Sequence, residues 1–185
     1  MKVALAILAL AAVAHAEPYT VADMRVELPS GWVELPDMSQ AAEKSLVTGA
    51  FTGGAKVHGQ DPAFSIVAWL SGKKKKGGTV RAELETLHAS MKNSLQDGAK
   101  LLRYDVTETA NRITVGFEVE RDKLRLIGTI VGAMQKGGVL RGWMAACGFA
   151  ASMDSHARPQ CEQVIGTFQV TLPDAELVPL EPKKK

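Results

Sequence analysis

The chain has 185 residues, 46% of them hydrophobic, with ten aromatic side chains and a formal net charge of +2. That length holds one ordinary domain and not comfortably two. Seven lysines lie in two runs, Lys73 to Lys76 and Lys183 to Lys185; without these and Lys2 the chain has 14 basic and 20 acidic residues, so its body is acidic and a broad nucleic-acid-binding face is excluded.

Lys2 supplies a minimal positive n-region, residues 3–13 form an apolar run of 11 residues, and Ala14-His15-Ala16 is an A-x-A cleavage site. The pattern predicts a cleaved secretory signal over 1–16, cut between Ala16 and Glu17. The run is too short to cross about 30 Å of hydrocarbon. No cysteine follows it as a lipoprotein anchor, and no later stretch is long and apolar enough for a transmembrane segment in the mature chain. The expected location is therefore the periplasm or the extracellular space.

Residues 18–28 predict an early strand through Val21, Met24, Val26 and Leu28, followed by a turn at Pro29 to Gly31 that brings Trp32 to the edge of a core. Residues 33–36 are a short extended piece and 37–44 a helical turn or loop. Residues 45–52 predict a strand, ended by Gly53-Gly54 and a wide loop that contains His58. Residues 63–71 predict a central strand, with Phe64, Ile66, Ala68 and Leu70 on one face and Val67 and Trp69 on the other.

The run Lys73, Lys74, Lys75, Lys76 then predicts a solvated loop, because adjacent like charges repel. Thr79 is a suitable N-cap for a helix from about Val80 to Asp97, with Val80, Leu84, Leu87, Met91 and Leu95 as its apolar stripe and Gly98 as its stop. From Leu101 to Cys147 the chain predicts a meander of four strands, with turns at Ala110-Asn111, Arg121-Asp122 and Gln135 to Gly138. Gly128 and Gly132 mark bulge or close-packing positions inside the third. A long loop after Cys147 leads to a last helix. Asp154 or Ser155 can cap it, Pro159 falls in its first turn, and Cys161, Val164, Ile165 and Phe168 share one face.

Cys147 and Cys161 are the only cysteines. In an oxidising compartment two cysteines usually pair. They are not at zinc spacing, and a redox pair is more often C-x-x-C. The expectation is a structural disulfide closing a loop of about 15 residues, worth roughly 3 kcal/mol. The domains read as a signal peptide (1–16), a single α+β domain (17–172) and a Pro/Lys-rich C-terminal tail (173–185). The fold class is α+β, an antiparallel sheet of about six to seven strands with two helices on opposite faces.

Three features of this order resemble the PsbP-like superfamily: the opening Leu28-Pro29-Ser30-Gly31-Trp32, the succession of elements, and the closing helix CEQVIGTFQV from Cys161 to Val170 with its Thr167-Phe168. The likeness spans roughly residues 20–170. It implies an α/β/α sandwich around an antiparallel sheet, and it carries over no catalytic residues, because members of that superfamily are mostly binding or assembly proteins.

Chemistry-bearing patterns are scarce. His58, His88 and His156 fall in a loop, on a helix and in the loop between the two cysteines, with no H-E-x-x-H and no Cys/His cluster. No G-x-S-x-G elbow and no phosphate-binding glycine loop are present. Glu118 and Glu120 share one face of a strand, opposite its apolar side, where a solvated edge accounts for them. Lys73 to Lys76 can touch anionic headgroups at about 1 kcal/mol per residue, although a solubilising loop is the plainer reading. No catalytic, metal or cofactor residues are assigned. The expected function is an exported, non-enzymatic binding or assembly module of the cell envelope with a protein partner. The alternatives are a carrier of a small apolar ligand or lipid, and an exported hydrolase with an unrecognised site.

Overall fold

Alternating apolar residues build the sheet, and the period of two sends them to opposite sides of it. In the computed structural model, which describes residues 17–34, 47–52 and 62–182, the order of elements is strands, helix, four strands, helix. The signal segment with Ala16, the 37–44 turn or loop, the loop with His58, and Lys183 to Lys185 lie outside the described residues.

Among the described residues ten strands form two sheets. β1 (Glu17–Val21), β2 (Met24–Leu28) and β10 (Gln169–Val170) make a three-stranded sheet in the order β1-β2-β10. The larger sheet holds β3 (Val33–Glu34), β4 (Val47–Thr52), β5 (Ala63–Lys73), β6 (Lys100–Glu108), β7 (Arg112–Arg121), β8 (Leu124–Gln135) and β9 (Val139–Ala150). Its order is β3-β4-β5-β9-β8-β7-β6, and every neighbouring pair is antiparallel. The four-strand meander is therefore β6 to β9, and β5 joins it along the outer side of β9.

The two helices, α1 (Val80–Gln96) and α2 (Asp154–Gly166), close two separate apolar clusters. Odd-numbered residues of β9 such as Trp143, Ala145 and Cys147 point to α2, with Phe64 and Ile66 of β5 and Met24 and Val26 of β2. Ile113, Val115 and Phe117 of β7, Ile130 and Met134 of β8, and Ala146 of β9 point to α1. The molecule is thus α+β, a layered sandwich with one helix on each face of an antiparallel sheet.

Several local expectations change. Residues 18–28 form a hairpin rather than one strand, turning at Ala22 with φ +47°. Leu70 keeps the alternation of Phe64, Ile66 and Ala68 but is exposed, just before the irregularity of β5 between Leu70 and Gly72. The β7–β8 turn is Asp122-Lys123, both with positive φ, the conformation that a two-residue hairpin demands. Gly128 and Gly132 are close-packing positions: a Cβ at Gly128 would lie 2.6 Å from the Ala145 carbonyl oxygen and from the Phe117 ring.

No long loop follows Cys147. β9 runs on to Ala150, a 3-10 turn covers Ala151–Met153, and α2 starts at once. Neither Asp154 nor Ser155 acts as the cap; the Asp154 N–H donates to the Ala151 carbonyl, so the preceding turn starts the helix. Pro159 lies inside α2, on an exposed side, rather than in the first turn.

The segment expected to be a tail is built into the domain as far as Pro182. Leu177 is buried and pairs with Gln135, the Val178 N–H donates to the Met134 carbonyl, and the Leu180 N–H donates to the Ala110 carbonyl. Glu181 then clasps the start of α1, where its carboxylate accepts from the backbone N–H groups of Val80 and Arg81, each at 3.0 Å. Helix N-termini leave such donors without intrahelical partners, and here a residue a hundred positions away supplies the acceptor.

Candidate functional site

The apolar stripe of α1 does not meet the sheet along its whole length. Val80, Leu84 and Leu87 are buried, whereas Met91 and Leu95 are only half-buried. Beside this second half of the helix an open groove of about 330 Å³ is lined by Trp69 of β5, Ile130 of β8, Met144 of β9 and Leu87, Met91 and Leu95 of α1, with Ser71, Ser90 and Ser94 as polar members. Ser94 and Leu95 also line a second hollow of about 450 Å³, which continues between the end of α1 and the β7–β8 hairpin over Ala99, Val119, Leu124 and Leu126. Leu124 stands at its mouth, 57% exposed.

The floor of the groove depends on a glycine. Trp69 lies opposite Gly142 in the β5–β9 register. A Cβ at Gly142 would fall on the Trp69 indole ring, so only glycine lets the ring lie down on the neighbouring strand. The methionines add side chains that repack around different apolar shapes.

The opposite face is charged. Glu118 and Glu120 do not occupy a solvated edge: Glu118 is buried, and both sit in an ion-pair network between the sheet and α2. Arg158 of α2 donates to the two Glu118 oxygens at 2.7 and 3.2 Å and to Asp154 Oδ1 at 3.0 Å. Arg125 of β8 donates to Glu120 at 3.1 Å and to Asp154 at 3.2 Å. The Arg158 hydrogen bonds hold the Glu118 and Asp154 carboxyls below the usual carboxylate range, against the opposing effect of burial. The mutual pairing leaves this network as a clamp on α2.

Cys147 and Cys161 form a disulfide between β9 and α2, with Cα atoms 5.5 Å apart and both residues fully buried. Lys73 ends β5, and Lys74, Lys75 and Lys76 make the exposed connection to α1. Their backbone is tied at two points: the Lys74 N–H donates to the Gly138 carbonyl at 2.7 Å and the Lys75 N–H to Glu83 at 3.2 Å. His88 lies on α1, where its carbonyl accepts from the Tyr104 hydroxyl at 2.8 Å, and burial pushes the Tyr104 phenol up. His156 is exposed on α2, on the other side of the sheet. Among the described residues no group of three or more His, Cys, Asp or Glu side chains is placed to hold a metal ion, and no helix is long and apolar enough to cross a membrane.

The sequence pattern placed Met91 and Leu95 in a core stripe and Trp69 on a covered face. It missed the groove because the stripe does not record that the second half of α1 is only partly covered. The Glu118 network was also missed; its signal was the spacing of Asp154 and Arg158 on one helix face, facing a strand with two glutamates.

The candidate site is thus an apolar groove on one face of an antiparallel sheet sandwiched by two helices. In overall fold the chain is similar to the solution structure of cyanobacterial PsbP (CyanoP) from Synechocystis sp. PCC 6803, at 14% identity and a TM-score of 0.48 over 90% of this chain and 98% of that one. It is also similar to the Saccharomyces cerevisiae Ran-binding protein Mog1p, at 11% identity and a TM-score of 0.46 over 88% of this chain and 100% of that one. At such identities the likeness is one of fold alone. No family model matches the chain, and no curated protein matches it.

Proposed function

We propose that the protein is an exported binding or assembly module of the cell envelope, without chemistry of its own, whose partner docks apolar side chains into the groove beside α1. The carrying observation is that groove: Trp69, Met91, Leu95, Ile130 and Met144 line it and Leu124 stands exposed at one end. Apolar surface of this kind gains about 25 cal/mol for every Å² that a partner covers, and aromatic and methionine side chains are the usual anchors of interfaces. Export is supported by the A-x-A signal pattern ahead of Glu17 and by a disulfide that closes β9 onto α2.

A second reading, a carrier of a small apolar ligand or lipid, is favoured by volume, since hollows of about 330 and 450 Å³ lie in the range of ligand sites. The open walls suit a protein segment better. The test isolates the exported protein, with thiols blocked, from its own envelope fraction and identifies bound proteins and lipids by mass spectrometry. The same isolation is done with Met91→Lys, which places a charge in the groove, and with Gln163→Lys on the exposed side of α2. The proposal expects a stoichiometric protein that Met91→Lys loses and Gln163→Lys keeps. Lipid in its place, with the same dependence, supports the carrier. Binding indifferent to Met91→Lys overturns both.

A further inference from the structure

The seven-stranded sheet ends at β6, which pairs with β7 on one side and with no strand on the other among the described residues. Such an edge offers a row of backbone N–H and C=O groups as a template for another strand. β6 also exposes two apolar side chains, Leu102 at 39% and Val106 at 42%. Among the described residues the opposite edge, β3, holds two residues.

We propose that β6 pairs antiparallel with β6 of a second copy of this chain, about a two-fold axis through Tyr104. The strand reads Lys100-Leu101-Leu102-Arg103-Tyr104-Asp105-Val106-Thr107-Glu108. About that axis Arg103 faces Asp105 of the other copy, exposed Leu102 faces exposed Val106, and Tyr104 faces itself. The irregularity between Leu101 and Arg103 turns Lys100, opposite Glu120, to the other face of the sheet from Glu108, so the charge pairing is confined to Arg103 and Asp105. Opposite-charge and apolar cross-strand pairs both stabilise a ladder, and like charges directly opposite weaken it. Moving the axis one residue either way sets Arg103 against Arg103 or Asp105 against Asp105, so the charges select this register.

Arg103 and Asp105 already approach to 3.4 Å within the strand. Pairing turns that exposed contact into a closed ring of four alternating charges. Glu108 keeps its 2.8 Å bond from Arg81. The interface is isologous, so it closes at two copies. It joins two sheets of seven strands into one of fourteen and leaves the groove of each copy on its own α1. One strand ladder buries less than a standard interface of about 1,600 Å², so the dimer is weak and forms as concentration rises.

The test is sedimentation velocity of the mature, oxidised chain over increasing concentration, with circular dichroism to verify folding. The wild type is expected to shift from one to two copies. Asp105→Arg and Arg103→Asp each turn both central charge pairs into like pairs, and each is expected to weaken self-association about tenfold or more. Mixing the two variants in equal amounts restores both opposite pairs and is expected to restore the dimer. A wild type that stays single at millimolar concentration, or variants that dimerise like the wild type, overturns the proposal. Single variants that stay apart when mixed overturn the axis through Tyr104.

Discussion

At the scale of the residue, Gly142 and Glu118 each decide one face of the sheet. Gly142→Ala sets a methyl group where the Trp69 ring lies. The expected cost is about 1–3 kcal/mol, typical of overpacking, with a change in Trp fluorescence as the ring lifts out of the groove. A thermal melt and an emission spectrum check both; an unchanged spectrum contradicts the account of the groove floor. Glu118 is held ionised by Arg158, with its pKa lowered. A carboxylate whose folded pKa is depressed stabilises above its ordinary value of about 4.3 and loses that contribution as pH falls through the lowered one. Glu118→Gln is therefore expected to cost about 2 kcal/mol near neutral pH, below the full value for breaking a buried pair because Arg158 is partly solvated. The gap to the wild type closes in acid. Urea unfolding at neutral pH and at successively lower pH follows the gap, and a gap that does not shrink as the pH falls contradicts the assignment.

At the scale of the element, α2 and α1 are fastened by long-range ties that follow them or precede them in the chain. The disulfide fixes α2 to β9. Cys147→Ala with Cys161→Ala is expected to lose about 3 kcal/mol, the entropy of a loop of roughly 15 residues, which lowers the melting temperature by about 6–12 °C in a domain of this size. α1 carries two caps. The Thr79 hydroxyl accepts from the Ala82 N–H at 3.2 Å, and Glu181 accepts from Val80 and Arg81. The backbone donors of Arg81 and Val80 hold the Glu181 carboxyl below its usual range, so this clasp also weakens in acid. Glu181→Ala is expected to cost about 1 kcal/mol and to raise hydrogen exchange in the first turn of α1, while leaving α2 unchanged.

What could be read from the sequence divides along the same line. The Val80-to-Leu95 stripe, the Thr79 cap and the alternation of Ile113, Val115 and Phe117 are local, and α1 and β7 were legible from them. The cysteine pair was legible because only two cysteines exist. Glu181 as a cap, the Arg158 bridge to Glu118 and the Trp69 ring on Gly142 join residues 100, 40 and 73 positions apart, as their numbering shows. Nothing in local periodicity encodes such distances. The hairpin at Ala22-Asp23 was missed for a different reason: its turn holds no glycine to mark it.

At the scale of the whole molecule, the two faces of the sheet do different work. The α2 face carries a disulfide, the three-stranded sheet and an ion-pair clamp, with a more polar hollow of about 620 Å³ beside the end of α2 between Thr114, Thr129, Ile165 and Phe168; the α1 face keeps an open apolar groove. The account rests on that groove being the surface where a partner docks. The most direct measurement places a photo-crosslinking amino acid at Met91, inside the groove, and at Gln163, on the exposed side of α2, and irradiates cells that produce each protein. The account predicts one discrete adduct from position 91, absent from position 163 and lost when Trp69→Ala is added. Equal crosslinking from both positions, or none from either, would contradict it.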